Sequence, residues 1–151
     1  MSSRNISLFF TIGTVFLSGF LLITGSKLLN YSLSSSLYIP LGTFITWTGL
    51  VALTMSIYLG TKRFDKKAKN PTKGWSLIFK ILIALSISWL PVCYLLAGNI
   101  SFSFSEKQTF QGGQLAMEIF WGFSYFLVGA PIVLFVIYLL SAYYKSVLSK
   151  K

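Results

Sequence analysis

The sequence predicts an all-α membrane protein, four transmembrane helices in an up-down bundle with both termini on the cytoplasmic side. Three observations predict it. The 151 residues are 54% hydrophobic and only 11% charged, whereas roughly a quarter of a soluble domain is charged. The 13 basic and 3 acidic side chains are separated by long stretches almost free of charge. Hydrocarbon demands that spacing, because an ionised group at the bilayer centre costs at least about 2.5 kcal/mol. Finally, the basic residues collect at the N-terminus, in one central loop and in the C-terminal tail. Four crossings put all three segments on one side.

The first span is read over residues 7–25, an uncharged run able to cross ~30 Å of hydrocarbon at ~1.5 Å per residue. Arg4 precedes it as in a signal peptide, and Leu22 to Ser26 resembles a lipoprotein cleavage site. Ser26 stands where the lipidated cysteine belongs, so the run is read as a retained anchor. The second span covers 38–59 and opens with Pro40, whose missing N–H is harmless in a first turn. The third, 76–97, is introduced by Trp75 at the interface. The fourth, 118–143, is long enough to tilt or protrude, and Tyr143 and Tyr144 mark its interfacial end. Between the spans lie a basic cytoplasmic loop, 60–75, and an exoplasmic loop, 98–117, so residues 1–151 form one integral membrane domain.

Orientation follows from basic residues in short loops. Lys62, Arg63, Lys66, Lys67, Lys69 and Lys73 crowd the central loop, Arg4 precedes the first span, and Lys145, Lys150 and Lys151 close the chain. The other side carries only Lys27 and Lys107. The central loop is also suited to anionic lipid headgroups, each basic residue contributing ~1 kcal/mol near the surface. With that role assigned, the net charge of +10 does not argue for nucleic acid as a partner.

Chemistry is sparse. Histidine is absent, which removes the commonest metal ligand and the usual general base. Cys93 is the sole cysteine, so neither an intrachain disulfide nor a cysteine zinc site forms. No C-x-x-C, G-x-S-x-G, G-x-G-x-x-G or P-loop occurs. The expectation is a protein that is no enzyme and needs no metal or cofactor.

Five features are candidates for function, each with a plainer reading beside it. Glu118, Gly122, Tyr125 and Gly129 follow i, i+4, i+7, i+11 spacing, so one face of helix four carries an acid, a phenol and two glycines. That face is an ion or proton site or a packing face, unless Glu118 merely starts the helix where its dipole favours an acid. Gly42, Thr46 and Gly49 make a small-residue stripe on helix two, fit for close helix approach within or between chains. Pro91 and Pro131 interrupt the last two spans, as a hinge or cavity would need, or simply as membrane helices tolerate. Lys80 sits one turn inside the third span and is expected to extend to the headgroups. In the outer loop, Phe102 and Phe104 alternate with serines. They offer an aromatic edge to a partner or lie on the lipid.

The reading that fits this scarcity of polar groups is an accessory or structural subunit that packs against other integral membrane proteins in the bilayer. The alternatives are a small oligomeric channel or transporter using Glu118, and a membrane-resident immunity or regulatory protein. A bacterial plasma membrane is the expected location, with an organellar membrane as the alternative.

Overall fold

The computed structural model describes residues 3–33, 40–65, 73–99 and 110–148. Its elements are α1 (Ser3–Ile23), a short 3-10 turn (Lys27–Asn30), α2 (Leu41–Asp65), α3 (Lys73–Ala97) and α4 (Gly113–Leu148). The fold is all-helical among these residues, and each of the four α-helices is long and apolar enough to cross a membrane. The chain is a multi-pass integral membrane protein.

The helices outrun the apolar stretches that announce them. α1 starts at Ser3, α2 continues through Thr61 to Asp65, α3 starts at Lys73 and α4 at Gly113. Hydropathy marks only what hydrocarbon covers, while backbone bonding continues into the interface, where Lys, Arg and Gln are good helix formers. α4, with 36 residues, reaches about 54 Å at ~1.5 Å per residue, well beyond ~30 Å of hydrocarbon. α2 runs the other way at its start. Pro40 lies just before the helix, its carbonyl accepting from Thr43 N–H at 3.2 Å, and the helix begins at Leu41 rather than at residue 38.

Two glycines end helices. Gly25, at φ +58°, follows the last turn of α1. Its N–H donates to the Leu22 carbonyl at 3.3 Å, and Ser26 N–H donates to Leu21 at 3.2 Å. This is the paired 5→2 and 6→1 closure of a Schellman motif, which needs a residue at positive φ. The stretch that resembles a cleavage site is thus a helix stop. Gly98, at φ +72°, ends α3 with a single bond to the Tyr94 carbonyl at 2.8 Å. A Cβ at Gly98 would collide with the Gln111 side chain, because Gln111 N–H donates to Ala97 at 3.2 Å and pins the start of α4 there.

α2, α3 and α4 pack on one another, while α1 touches α2 and the 3-10 turn but neither α3 nor α4. The core therefore lies among the last three helices. Leu50, Trp89, Cys93, Ala97, Phe120 and Leu127 are buried together there, with Trp47, Phe110 and Phe123 packed round them.

Candidate functional site

Inside the three-helix core, polar side chains reach across to a neighbouring helix. Thr54 of α2 and Ser86 of α3, both fully buried, share a hydrogen bond of 3.1 Å. Trp89 of α3 donates its indole N–H to Ser124 of α4 at 2.9 Å. Tyr138 of α4 donates to the Thr61 carbonyl of α2 at 3.2 Å. Among the described residues no buried side-chain nitrogen or oxygen is left without a partner.

Pro91 has a partner too. A proline leaves the carbonyl four residues back without its helical donor, and for Pro91 that carbonyl belongs to Ile87. The Trp47 indole of α2 donates to the Ile87 oxygen at 3.1 Å. The carbonyl that Pro91 leaves open in α3 is thereby tied to α2, which counts towards a fixed packing joint rather than a free hinge. Pro131, by contrast, is itself buried.

The stripe on α2 meets α1. Gly49 faces Ser18 so closely that an added Cβ would lie 2.9 Å from the Ser18 Cβ. Ser18, buried, is the matching small residue on α1, and Thr11, seven residues earlier, is buried as well. Gly42 is buried and Thr46 returns its hydroxyl to the Gly42 carbonyl at 2.8 Å.

Glu118, Gly122 and Tyr125 are exposed and Gly129 is half-buried. Gln114 donates to the Glu118 carboxylate at 3.3 Å, and Tyr125 stacks on Trp121 with centroids 5.8 Å apart. Space for a Cβ is open at both Gly122 and Gly129. This face points away from the core, and no described helix of the chain packs on the two glycines.

A second group gathers where α2 ends and α3 begins. Lys62 Nζ stands 4.7 Å over the centre of the Tyr58 ring. The Tyr58 hydroxyl lies within reach of Lys62 and Ser76 and close enough to Lys80 to feel its charge. Lys80 is exposed. Of the other basic-loop residues, Lys66, Lys67 and Lys69 lie outside the described residues, and Arg63 and Lys73 are described in their backbone only. Phe102 and Phe104 also lie outside the described residues.

A lateral groove of about 850 Å³ opens on one side of the bundle. Its floor is α2 (Thr48, Val51, Met55), one wall is α1 (Ser7, Phe10, Thr14) and the other is Ile87 of α3. It exists because α1 and α3 both pack on α2 without meeting.

No protein-family model, curated protein or solved structure matches the chain.

The arrangement itself has three surfaces on which something can act: the outer face of α4, the lateral groove and the cationic cluster. The polar core is occupied by its own cross-helix bonds. Among the described residues no three His, Cys, Asp or Glu side chains come together as metal ligands would. Sequence reading passed over Thr11, Ser18, Trp47 and Tyr58. A hydroxyl pair spaced by seven was a signal for the first two. Trp47 bonds to a carbonyl of α3 and Tyr58 meets residues of α3 as well as Lys62 of its own helix, so their cross-helix roles depend on a register that the sequence does not display.

Proposed function

We propose that the protein is a non-catalytic accessory subunit of a membrane assembly, docking on partner membrane proteins through the outer face of α4. The observation that carries this reading is the exposure of Glu118, Gly122 and Tyr125 on one face, with open space at both glycines. Small residues allow a partner helix to approach closely, and a polar group beside them fixes its register. The polar groups of the core are already paired with one another, so recognition falls to the outside of the bundle.

The topology proposed with it is up-down, with both termini and the basic loop in the cytoplasm of a bacterial cell. The order of contacts supports the up-down part. Trp75 of α3 meets Tyr138 of α4, and further along α3 Trp89 meets the earlier Ser124. The ten basic residues in three segments against two on the other side support the orientation.

A second reading has its own support. Glu118, outward-facing and hydrogen-bonded by Gln114, would line a shared path if several copies packed through α4, as in a small channel or transporter.

One experiment separates them. A tagged copy is extracted in mild detergent and sized in its native state, alongside Gly122→Leu and Gly129→Leu variants that still insert. A stoichiometric companion protein lost in both variants supports the subunit. A homo-oligomer sinks it, and flux in liposomes abolished by Glu118→Gln would then establish the channel.

A further inference from the structure

Cations lie further along the helices that line the lateral groove. Thr48, Val51 and Met55 line its floor, and steps of three and four residues keep to one helix face. The same stripe of α2 therefore continues from Met55 to Tyr58 and Lys62. On α3 the stripe of Ile87 continues through Ala84 to Lys80 by the same rule. The two stripes come together around Tyr58, where Lys62 Nζ stands 4.7 Å over the ring and Ser76 and Lys80 of α3 act on the hydroxyl. On α1, Arg4 stands one turn before Ser7, at that wall's end of the groove. Glu118 is the one acid whose side chain is described, and it belongs to α4, which contributes nothing to the groove.

We propose that the groove binds an anionic phospholipid, with an acyl chain along Thr48, Val51 and Met55 and the phosphate held by Lys62, Lys80 and Tyr58. This inference rests on the chain spanning a bilayer and is independent of the accessory-subunit reading.

Charge and length both select this occupant. Lys62 lies against the Tyr58 ring and Lys80 is near enough to act on Tyr58 electrostatically, so two ammonium groups and a phenol share one neighbourhood, which suits the unesterified oxygens of a phosphodiester. From Thr48 to Lys62 the helix rises about 21 Å at ~1.5 Å per residue, enough for one leaflet, half of ~30 Å of hydrocarbon, and its headgroup region. A partner helix or a second copy would run the whole span. Yet α1 lines the groove only from Ile6 to Thr14, and its later turns close on α2 where Ser18 meets Gly49.

Native mass spectrometry of the full chain in detergent, with equimolar phosphatidylglycerol and phosphatidylcholine added, tests this. Two basic residues near the surface, each worth about a factor of five, predict retention of phosphatidylglycerol over phosphatidylcholine by about twenty-five-fold. K62Q/K80Q is expected to bring the two lipids to near equality. K67Q/K69Q is expected to keep the preference. Val51→Trp, which fills the groove without altering charge, is expected to reduce both adducts. Equal retention of the two lipids by the unaltered chain would overturn the proposal. So would an equal loss in K67Q/K69Q, which would mean diffuse attraction to the basic loop. A dimer that excludes lipid would give the groove to a second copy instead.

Discussion

α1 is attached to α2 by shape, whereas α2, α3 and α4 are attached to one another by shape and by hydrogen bonds. In the core, hydroxyl and indole groups cross between helices, in Trp47 to Ile87, Thr54 to Ser86, Trp89 to Ser124 and Tyr138 to Thr61. On α1 the hydroxyls turn back on their own helix. Ser7 donates to the Ser3 carbonyl at 3.2 Å, Thr11 to Leu8 and Thr14 to Phe10 at 3.0 Å. What joins α1 to α2 is the close fit of Ser18 against Gly49, helped by the Tyr31 carbonyl accepting from Leu41 N–H at 2.8 Å beyond the helix end. Lipid tails are as apolar as leucine, so burial alone does not hold membrane helices together, and close packing and polar bonds remain. The core has both and α1 mainly one. That is why α1 can stand aside from α3 and leave a groove between them.

The largest expected effect separates the two regions outright. Trp89 is 2% exposed, meets the Phe120 ring at 6.0 Å and donates to Ser124. Trp89→Ala should destabilise the core by about 3–5 kcal/mol, as large aromatic truncations do. Trp89→Phe, which keeps most of the packing and drops the bond, should cost about 0.6–2 kcal/mol. Unfolding titrations in mixed micelles measure both. Equal losses would mean that the indole N–H, and not the ring, holds α3 to α4.

The seam of α1 should respond to size alone. Gly49→Leu forces Ser18 away and is expected to cost roughly 1–3 kcal/mol, in the range of overpacking. Its signature is release of α1 with the core intact, read as loss of a Thr14→Cys to Val51→Cys crosslink while the unfolding midpoint of the core is unchanged. Ser18→Gly should restore part of what the milder Gly49→Ala loses. If the two changes simply add, Ser18 and Gly49 do not touch in the membrane.

The same contrast explains what the sequence displays and what it hides. Four apolar helices are legible because charge exclusion acts on every residue of a span, as in the uncharged run before Gly25. The glycine stripe on α2 is legible as a packing face, but its partner is not, because Ser18 is one of many serines until register selects it. The outward direction of Glu118 is equally invisible. Its i, i+4 spacing with Gly122 fixes a face of α4 without saying whether that face meets the core or the lipid. Pro91 looks isolated on α3 because its compensating donor, Trp47, lies 40 residues earlier than the carbonyl it satisfies.

That compensation yields a coupled prediction. Trp47→Phe strips the Ile87 carbonyl of its donor, and an unsatisfied carbonyl away from water costs about 1–3 kcal/mol. Pro91→Ala returns a backbone N–H to the same carbonyl. In the Pro91→Ala background, Trp47→Phe should therefore cost less than ~1 kcal/mol, the remainder being lost ring contact. A cycle of these variants, read by unfolding in mixed micelles, isolates the coupling. Identical losses in both backgrounds would show that Trp47 acts by packing and that the carbonyl of Ile87 is satisfied some other way.

The smallest effect is expected where the bond looks most secure. Thr54 and Ser86 are fully buried and joined at 3.1 Å, yet each hydroxyl also has a carbonyl on its own helix. Thr54 reaches Leu50 at 3.2 Å and Ser86 reaches Leu82 at 2.9 Å. Removing one hydroxyl leaves the other with that local partner, so no polar atom is stranded. Thr54→Val, nearly equal in shape, should then cost only about 0.6 kcal/mol, the average for a polar pair in a membrane core. The Thr54→Val, Ser86→Ala pair should cost little more than either change alone. A loss above about 2 kcal/mol for Thr54→Val would mean that the cross-helix bond is irreplaceable, and polar bonding would then outrank packing in separating the core from α1.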